Sequence, residues 1–305
     1  MKRLAWMRRR GVPGSLAAVL LVVAALLLWS LLQRSDHVQQ DKATWLWDAA
    51  GIAQKGDEII SFCAQEGVKV IFVQIQSEVR KEDYRRFAAG AYAAGIAVHA
   101  LDGQPEWAYE EHRGEVSQML SWLAQYNAQS QPEERFQGIQ LDIEPYVLKR
   151  WERERDQVVL EWAGNMEAWA ADAAASGIPL SVAVPFWLDD IPALDDTDNF
   201  CLWLQQRTAA IAVMSYRDQG EQMYELARQE LEQGEQLGTS VWIGMELADT
   251  DEGDHLTFHD QTLSQMELEA QRASFLGRAH RSYAGLAVHH FEAWHHKWKG
   301  TGPLE

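Results

Sequence analysis

The chain has 305 residues, 47% of them hydrophobic and 24% charged, with 14 Trp, only 2 Cys and a formal net charge of -18. That length and apolar fraction suffice for a large buried core and exclude disorder, collagen-like repeats and a disulfide-stapled mini-protein. The acidity excludes nucleic acid as a partner, because no face easily offsets so negative a whole.

The charge is unevenly placed. Residues 1–33 carry Lys2, Arg3, Arg8, Arg9 and Arg10 and no acid, which leaves 22 bases against 45 acids, a balance of -23, for the rest. No residue from Gly11 to Gln33 is charged, and Leu16 to Trp29 is wholly apolar. About 20 apolar residues in a helix span a bilayer. Residues 11–33 therefore read as a transmembrane signal anchor, with the lipid bilayer as partner. Residues 1–10 form a basic cytoplasmic tail and the bulk of the chain is exported. A cleavable signal peptide is the competing reading; it fits less well because the apolar run is long and no small-x-small site follows Leu32. Either way the bulk leaves the cytoplasm. Residues 34–42 read as a polar linker, and Cys63 and Cys201, far apart in sequence, as two small buried thiols.

Residues 43–300 read as one domain, followed by a short tail, 301–305. Short β-rich runs recur at Thr44–Asp48, Val68–Gln74, Ile96–Asp102, Gly138–Glu144, Leu180–Pro185, Ala210–Tyr216, Ser240–Glu246 and Gly285–His290. Helix-period segments such as 57–66, 84–94 and 116–128 lie between them. Strands alternating with helices imply right-handed crossovers and a parallel sheet. Eight such units in about 250 residues make a (β/α)8 TIM barrel, an α/β fold. A doubly wound open sheet fits less well, since the first turn lacks a Gly-x-Gly-x-x-Gly loop. Between the fourth and fifth strands, Trp162, Met166, Trp169 and Ala173 share one helix face, as core residues do.

Chemistry in such barrels sits at the C-terminal strand ends. Here those ends carry Asp48, Gln74, Gln76, Asp102, Asp142, Glu144, Trp187, Tyr216, Arg217, Glu246 and His289. Strand side chains alternate, so Gly138, Gln140, Asp142 and Glu144 share one face, and Ile139, Leu141 and Ile143 share the other. The apolar row suits the helix layer, which turns the polar row inward. The same parity turns Met214 and Tyr216 inward on the sixth strand and Glu246 inward on the seventh. Two inward carboxylates at i and i+2 lie within about 7 Å, so repulsion and burial raise the pKa of one of them. A carboxyl kept protonated at neutral pH is what a glycosidic oxygen needs as proton donor. Trp47, Trp107, Trp187 and Trp294 lie at or past strand ends, where flat rings can stack on sugar faces.

The segment Gln137-Gly-Ile-Gln-Leu-Asp-Ile-Glu144 is similar to the Asp-Gly-x-Asp-x-Asp-x-Glu strand of glycoside hydrolase family 18, the chitinase-like barrels. Met214-Ser-Tyr216 resembles that family's Met-x-Tyr, and Trp294 is a loose counterpart of its eighth-strand Trp. Gln137 and Gln140 replace two aspartates, and Arg217 stands where Asp or Asn is usual. The resemblance implies substrate-assisted retaining hydrolysis of a β-linked, N-acetylglucosamine-containing glycan. Glu144 is then the general acid, and Asp142 and Tyr216 orient the substrate's acetamido group. Asp48, Gln74, Asp102, Gln140, Trp187, Met214, Arg217, Glu246, His289 and Trp294 are the expected substrate contacts. Gln140, a neutral amide in place of an aspartate, implies lower activity or a shifted pH optimum.

Two alternatives stay open: a binding barrel without turnover, motivated by Gln137 and Gln140, and a two-carboxylate retaining glycosidase using Glu144 and Glu246. No cofactor and no metal is expected. Adjacent histidines in His289–His296 point apart, no His-Glu-x-x-His is present, and His295 and His296 read as solvated surface. The acidic loop 249–260 reads as a solvated lid, and Ser181 and Ser215 lack a nucleophile elbow. The acid-rich rim favours neutral or partly cationic glycans as the partner.

Overall fold

The computed structural model describes residues 40–193 and 198–300. The basic tail 1–10, the expected anchor 11–33, residues 34–39 and the tail 301–305 lie outside the described residues. Among those described, no helix is long and apolar enough to cross a membrane.

Eight parallel strands close into a barrel in sequence order. They are β1 Lys42–Leu46, β2 Val68–Gln74, β3 Ala97–Asp102, β4 Gly138–Leu141, β5 Leu180–Pro185, β6 Ala210–Met214, β7 Ser240–Glu246 and β8 Tyr283–His289. The principal helices that follow them are α1 Ile52–Gln65, α2 Lys81–Ala93, α3 Arg113–Ala128, α4 Lys149–Ala175, α5 Phe200–Gln205, α6 Gly220–Leu237, α7 Leu263–Gly277 and α8 Phe291–Gly300. The barrel closes where Ala43 pairs with Ala287 and Thr44 with Val288, and the Thr44 hydroxyl donates to the Val288 carbonyl at 2.9 Å. At this seam Gly285 has φ +140, and a Cβ there would stand 2.0 Å from the Asp41 carbonyl oxygen. Only glycine fits both constraints.

Several strand ends differ from the sequence expectation, those of β1, β4 and β6 most consequentially. β1 begins at Lys42 and stops at Leu46, because Lys42 already pairs with Val68 and Leu286, and Asp48 leads into a tight turn. Lys42 therefore belongs to the barrel rather than to a linker; its ammonium lies 3.7 Å from Glu66 and over the Trp294 ring. β4 stops at Leu141 and β6 at Met214, so Asp142, Glu144 and Tyr216 stand on flared ends above the ladder. Pro145, which has no N–H for a ladder, starts the turn after Glu144.

The alternation of side chains survives the flare. Ile139, Leu141 and Ile143 join the large core between sheet and helices, together with Trp162, Met166, Trp169 and Ala173 of α4. A second cluster fills the barrel itself. Trp45, Phe72, Leu101 and Trp242 meet Ala43, Ala183, Ala212 and Ala287, so large rings on some strands are matched by alanines on others. Losing one such ring costs roughly 3–5 kcal/mol. This apolar plug, from β1, β2, β3 and β7 above all, is the floor on which the polar mouth rests. Cys63 and Cys201 are buried free thiols on the helix layer.

Candidate active site

On β4 the inward row runs Gly138, Gln140, Asp142, Glu144 from the plug to the mouth. Gly138 leaves room for His99, whose ring would lie 2.8 Å from a Cβ there. Burial lowers the His99 pKa to about 4, so this imidazole is neutral. Gln140 is 0% exposed, and neither side-chain polar atom has a hydrogen-bond partner. Above it Asp142 and Glu144 share a hydrogen bond. Burial pushes the Asp142 carboxyl up to about 7, aided by the Glu144 charge and by donation to Glu144. Burial also raises Glu144, offset by hydrogen bonds from Tyr146 and Asp142. Burial thus raises both carboxyls, and the pair holds one proton near neutrality.

The other walls converge on this pair. The Tyr216 hydroxyl is held well above its usual range by burial, then by the charges of Glu246, Asp142 and Glu144. One phenol therefore feels all three carboxyl groups. On β7 and β8, Glu246 Oε2 accepts from His289 Nδ1 at 2.7 Å, and Trp47 Nε1 donates to His289 Nε2 at 3.2 Å. Gly244 makes the approach of β6 and β7 close: a Cβ there would sit 2.5 Å from the Val213 carbonyl oxygen and 3.1 Å from the Tyr216 ring. Met214 is half-buried beside them. On the β2–β3 side, Gln74 Nε2 donates to Asp102 Oδ1 at 2.8 Å, and burial raises the Asp102 pKa. Gln76 holds the Trp47 carbonyl at 3.2 Å.

Other expected contacts sit elsewhere. Trp294 is 0% exposed and packs edge-on against Phe62 at 5.1 Å, so it is no part of a sugar floor. Its place follows from α8, whose Phe291, Trp294, His295 and Trp298 form one helix stripe around Phe62. His295 is thus a packed ring rather than solvated surface. Asp48 is exposed, and what it contributes is its backbone N–H, donated to Glu292 at 3.2 Å. Arg217 turns toward Phe186, its guanidinium 5.1 Å from that ring, and donates to the Tyr216 carbonyl at 2.6 Å. Trp187 packs on Tyr146 at 5.0 Å and on Trp151 at 6.2 Å, forming an aromatic wall at the β4–β5 corner. The loop 249–260 is tied down in part: Phe258 is buried, its N–H donates to the Glu246 carbonyl, and Thr257 Oγ1 donates to the Ala248 carbonyl at 2.6 Å. Among the described residues no group of three or more His, Cys, Asp or Glu could hold a metal.

No family model matches the sequence, and no curated protein does. Solved structures do. A chitinase from Bacteroides thetaiotaomicron matches with a TM-score of 0.52 at 10% identity, over 83% of this chain and 90% of that one. The glycoside hydrolase domain of PgaB (BpsB) from Bordetella bronchiseptica gives 0.50 at 10%, over 86% and 97%. A GH5-4 broad specificity endoglucanase from an uncultured bacterium gives 0.52 at 9%, over 81% of each chain. The fold is a (β/α)8 barrel of the kind these chitinase and glycosidase structures share. Fold alone does not assign chemistry, which has to come from the residues at the mouth.

Two features of the barrel mouth had no counterpart in the sequence expectation. Tyr146 folds back to donate to Glu144 because Pro145 starts a tight turn; the Pro after the carboxylate was the available signal. Gly103, just past β3, lies against the Asp142 backbone, where a Cβ would stand 1.8 Å from the carbonyl oxygen. Gly103→Ala is accordingly expected to push the Asp142 segment off its position. Any hydrolysis should fall at least about tenfold, as misplacement of a reacting group does, and the melting temperature should drop. An alanine variant with wild-type rate and melting temperature would show that Gly103 sets nothing.

Proposed function

We propose that the protein is a glycoside hydrolase acting on β-linked, N-acetylglucosamine-containing glycan by substrate assistance, with Glu144 as general acid. The observation that carries this reading is the placement of Asp142 and Glu144 together on the end of β4 at the barrel mouth, where burial raises both carboxyls. In the first step Glu144 delivers the proton to the glycosidic oxygen as the C1–O bond breaks. The acetamido carbonyl oxygen of the same sugar bonds to C1, giving an oxazolinium ion, and the leaving sugar departs with the proton. Asp142, having passed its proton toward Glu144, accepts the acetamido N–H, and Tyr216 borders the same group. In the second step water attacks C1, Glu144 takes its proton, and the acetamido group re-forms. Neutral or partly cationic glycans suit the acidic rim of Asp102, Asp142, Glu144 and Glu246.

A thiazoline mimic of the oxazolinium ion tests the mechanism on a chromogenic chitobioside. Competitive inhibition well below the substrate KM is expected, since such mimics gain affinity as transition-state analogues do. Hydrolysis that the mimic leaves untouched would exclude substrate assistance. A second reading, a barrel that binds glycan without turnover, rests on Gln140, where a buried amide with no partner underlies the pair. The assay of Glu144→Gln argued below separates the two. We also propose that residues 11–33 anchor the chain in a bilayer with the barrel exported. Partition of the full chain into detergent-extracted membranes is expected, and recovery from a salt wash would refute it.

A further inference from the structure

The carboxylate of Glu246 is fully engaged. Its Oε1 accepts from the backbone N–H groups of Leu247 at 2.8 Å and Ala248 at 2.7 Å, and its Oε2 accepts from His289. The next link fixes the proton positions. An indole nitrogen can only donate, so with Trp47 Nε1 aimed at it, His289 Nε2 is the acceptor. The ring proton then sits on Nδ1, which is the donor Glu246 requires. Backbone amides thus orient Glu246, Glu246 orients His289, and His289 orients Trp47, across the adjacent strands β7, β8 and the end of β1. The Trp47 indole meets His289 nearly edge-on, at 6.2 Å and 71°, and is only half-buried.

We propose that Glu246 is a positioning residue and not a nucleophile: acting through His289, it sets the indole of Trp47 as the aromatic floor for a pyranose ring beside Asp142 and Glu144. The proposal rests on the glycosidase reading and names Trp47, rather than Trp294, as the ring that takes the sugar face. A nucleophile must turn an oxygen lone pair to the anomeric carbon, and for Glu246 that means giving up hydrogen bonds it already makes. A floor needs only a rigid, half-exposed ring, and a chain of four donors supplies that rigidity.

Glu246→Gln makes the test specific. A glutamine whose carbonyl keeps the two backbone amides must turn its NH2 toward His289 Nδ1. The tautomer then flips, and an Nε2–H faces the Trp47 N–H. In the full-length chain, nitrogen NMR of His289 should show the proton on Nδ1 in the wild type and its loss from Nδ1 in the variant. Binding of tri-N-acetylchitotriose should weaken about tenfold in Glu246→Gln, His289→Leu and Trp47→Ala, as loss of an aromatic contact does. His289→Gln should keep near wild-type affinity, because its amide can both donate to Glu246 and accept from Trp47. On a chromogenic chitobioside, Glu246→Gln should raise KM and leave kcat within a few-fold. A kcat loss of a thousandfold or more at unchanged KM would overturn the proposal in favour of a nucleophile. A proton on Nε2 in the wild type would overturn the relay. If the tautomer is as stated but chitotriose does not bind, the sugar floor is overturned, while Glu144 is judged by its own assay.

Discussion

Glu144→Gln is expected to abolish hydrolysis of chito-oligosaccharides, lowering kcat by about 10²–10⁴-fold, the usual contribution of a positioned general acid. Glutamine keeps the shape and can still meet Tyr146, so the fold should be unchanged and oligosaccharide binding retained. The variant removes the only member of the pair that faces both the proton store and the mouth. The wild-type pH profile should carry the same signature. On the proposed mechanism catalysis needs the shared proton, burial raises Asp142 to about 7, and so kcat/KM should fall as pH rises through that value. Measuring kcat/KM between pH 5 and 9 for wild type and for Asp142→Asn checks it. Wild-type hydrolysis of chitotetraose or peptidoglycan fragments no faster than that of Glu144→Gln would rule out the enzyme reading for those substrates and leave the binding barrel.

Much of this arrangement was legible in the sequence, for definite reasons. The period-two alternation Gly138, Gln140, Asp142, Glu144 against Ile139, Leu141, Ile143 allows one orientation only, since the apolar row must meet the helices. It therefore fixed which carboxyls face the mouth even though the ladder stops at Leu141. The same logic placed Tyr216 and Glu246. Trp294, expected at the mouth from its position past a strand end and from the resemblance, instead follows β8 in a new helix whose stripe with Phe291 and Trp298 turns it into the core. Period two gives way to period 3.6 within a few residues there, and a single aromatic does not reveal which period it obeys. The relay from Glu246 to Trp47 was not legible at all. It depends on a Trp47–His289 bond between residues 242 positions apart and on one imidazole tautomer, and hydrogen-bond direction is a property of closure, not of local pattern. At Asp48 the backbone N–H is tied to Glu292 and the side chain is exposed.

Glu230→Gln is expected to stabilise the protein at alkaline pH by about 4 kcal/mol while leaving it nearly unchanged at pH 4. Glu230 lies on α6 with 1% exposure, and one carboxyl oxygen lacks a partner. It faces Cys201 of α5, with Asp189 contributing charge from the turn after β5. Burial, the largest cause, raises its pKa from 4.5 to about 8. In the unfolded chain the carboxyl ionises from pH 4.5 upward, while the folded chain keeps its proton until about pH 8. The folded state thus binds more protons across that window, and stability declines with pH at about 1.4 kcal/mol per unit. Below pH 4.5 both states are protonated and the group costs nothing. Glutamine never ionises, so the difference between variant and wild type should open from near zero at pH 4 to its full size at pH 8, roughly 10 °C in melting temperature. The raised carboxyls of Asp102, Asp142 and Glu144 add their own slope, but they are common to both proteins and cancel in the difference. Parallel melting curves at pH 4 and pH 8 would mean that Glu230 is ionised in the folded chain and finds a counter-charge. The site has a stake in the result, since α6 lies between β6, which leads to Tyr216, and β7, which ends in Glu246. Loosening of this layer above pH 8 therefore acts in the same direction as loss of the Asp142 proton, and Glu230→Gln separates the two. It should raise alkaline stability while leaving the pH dependence of kcat/KM where Asp142 sets it.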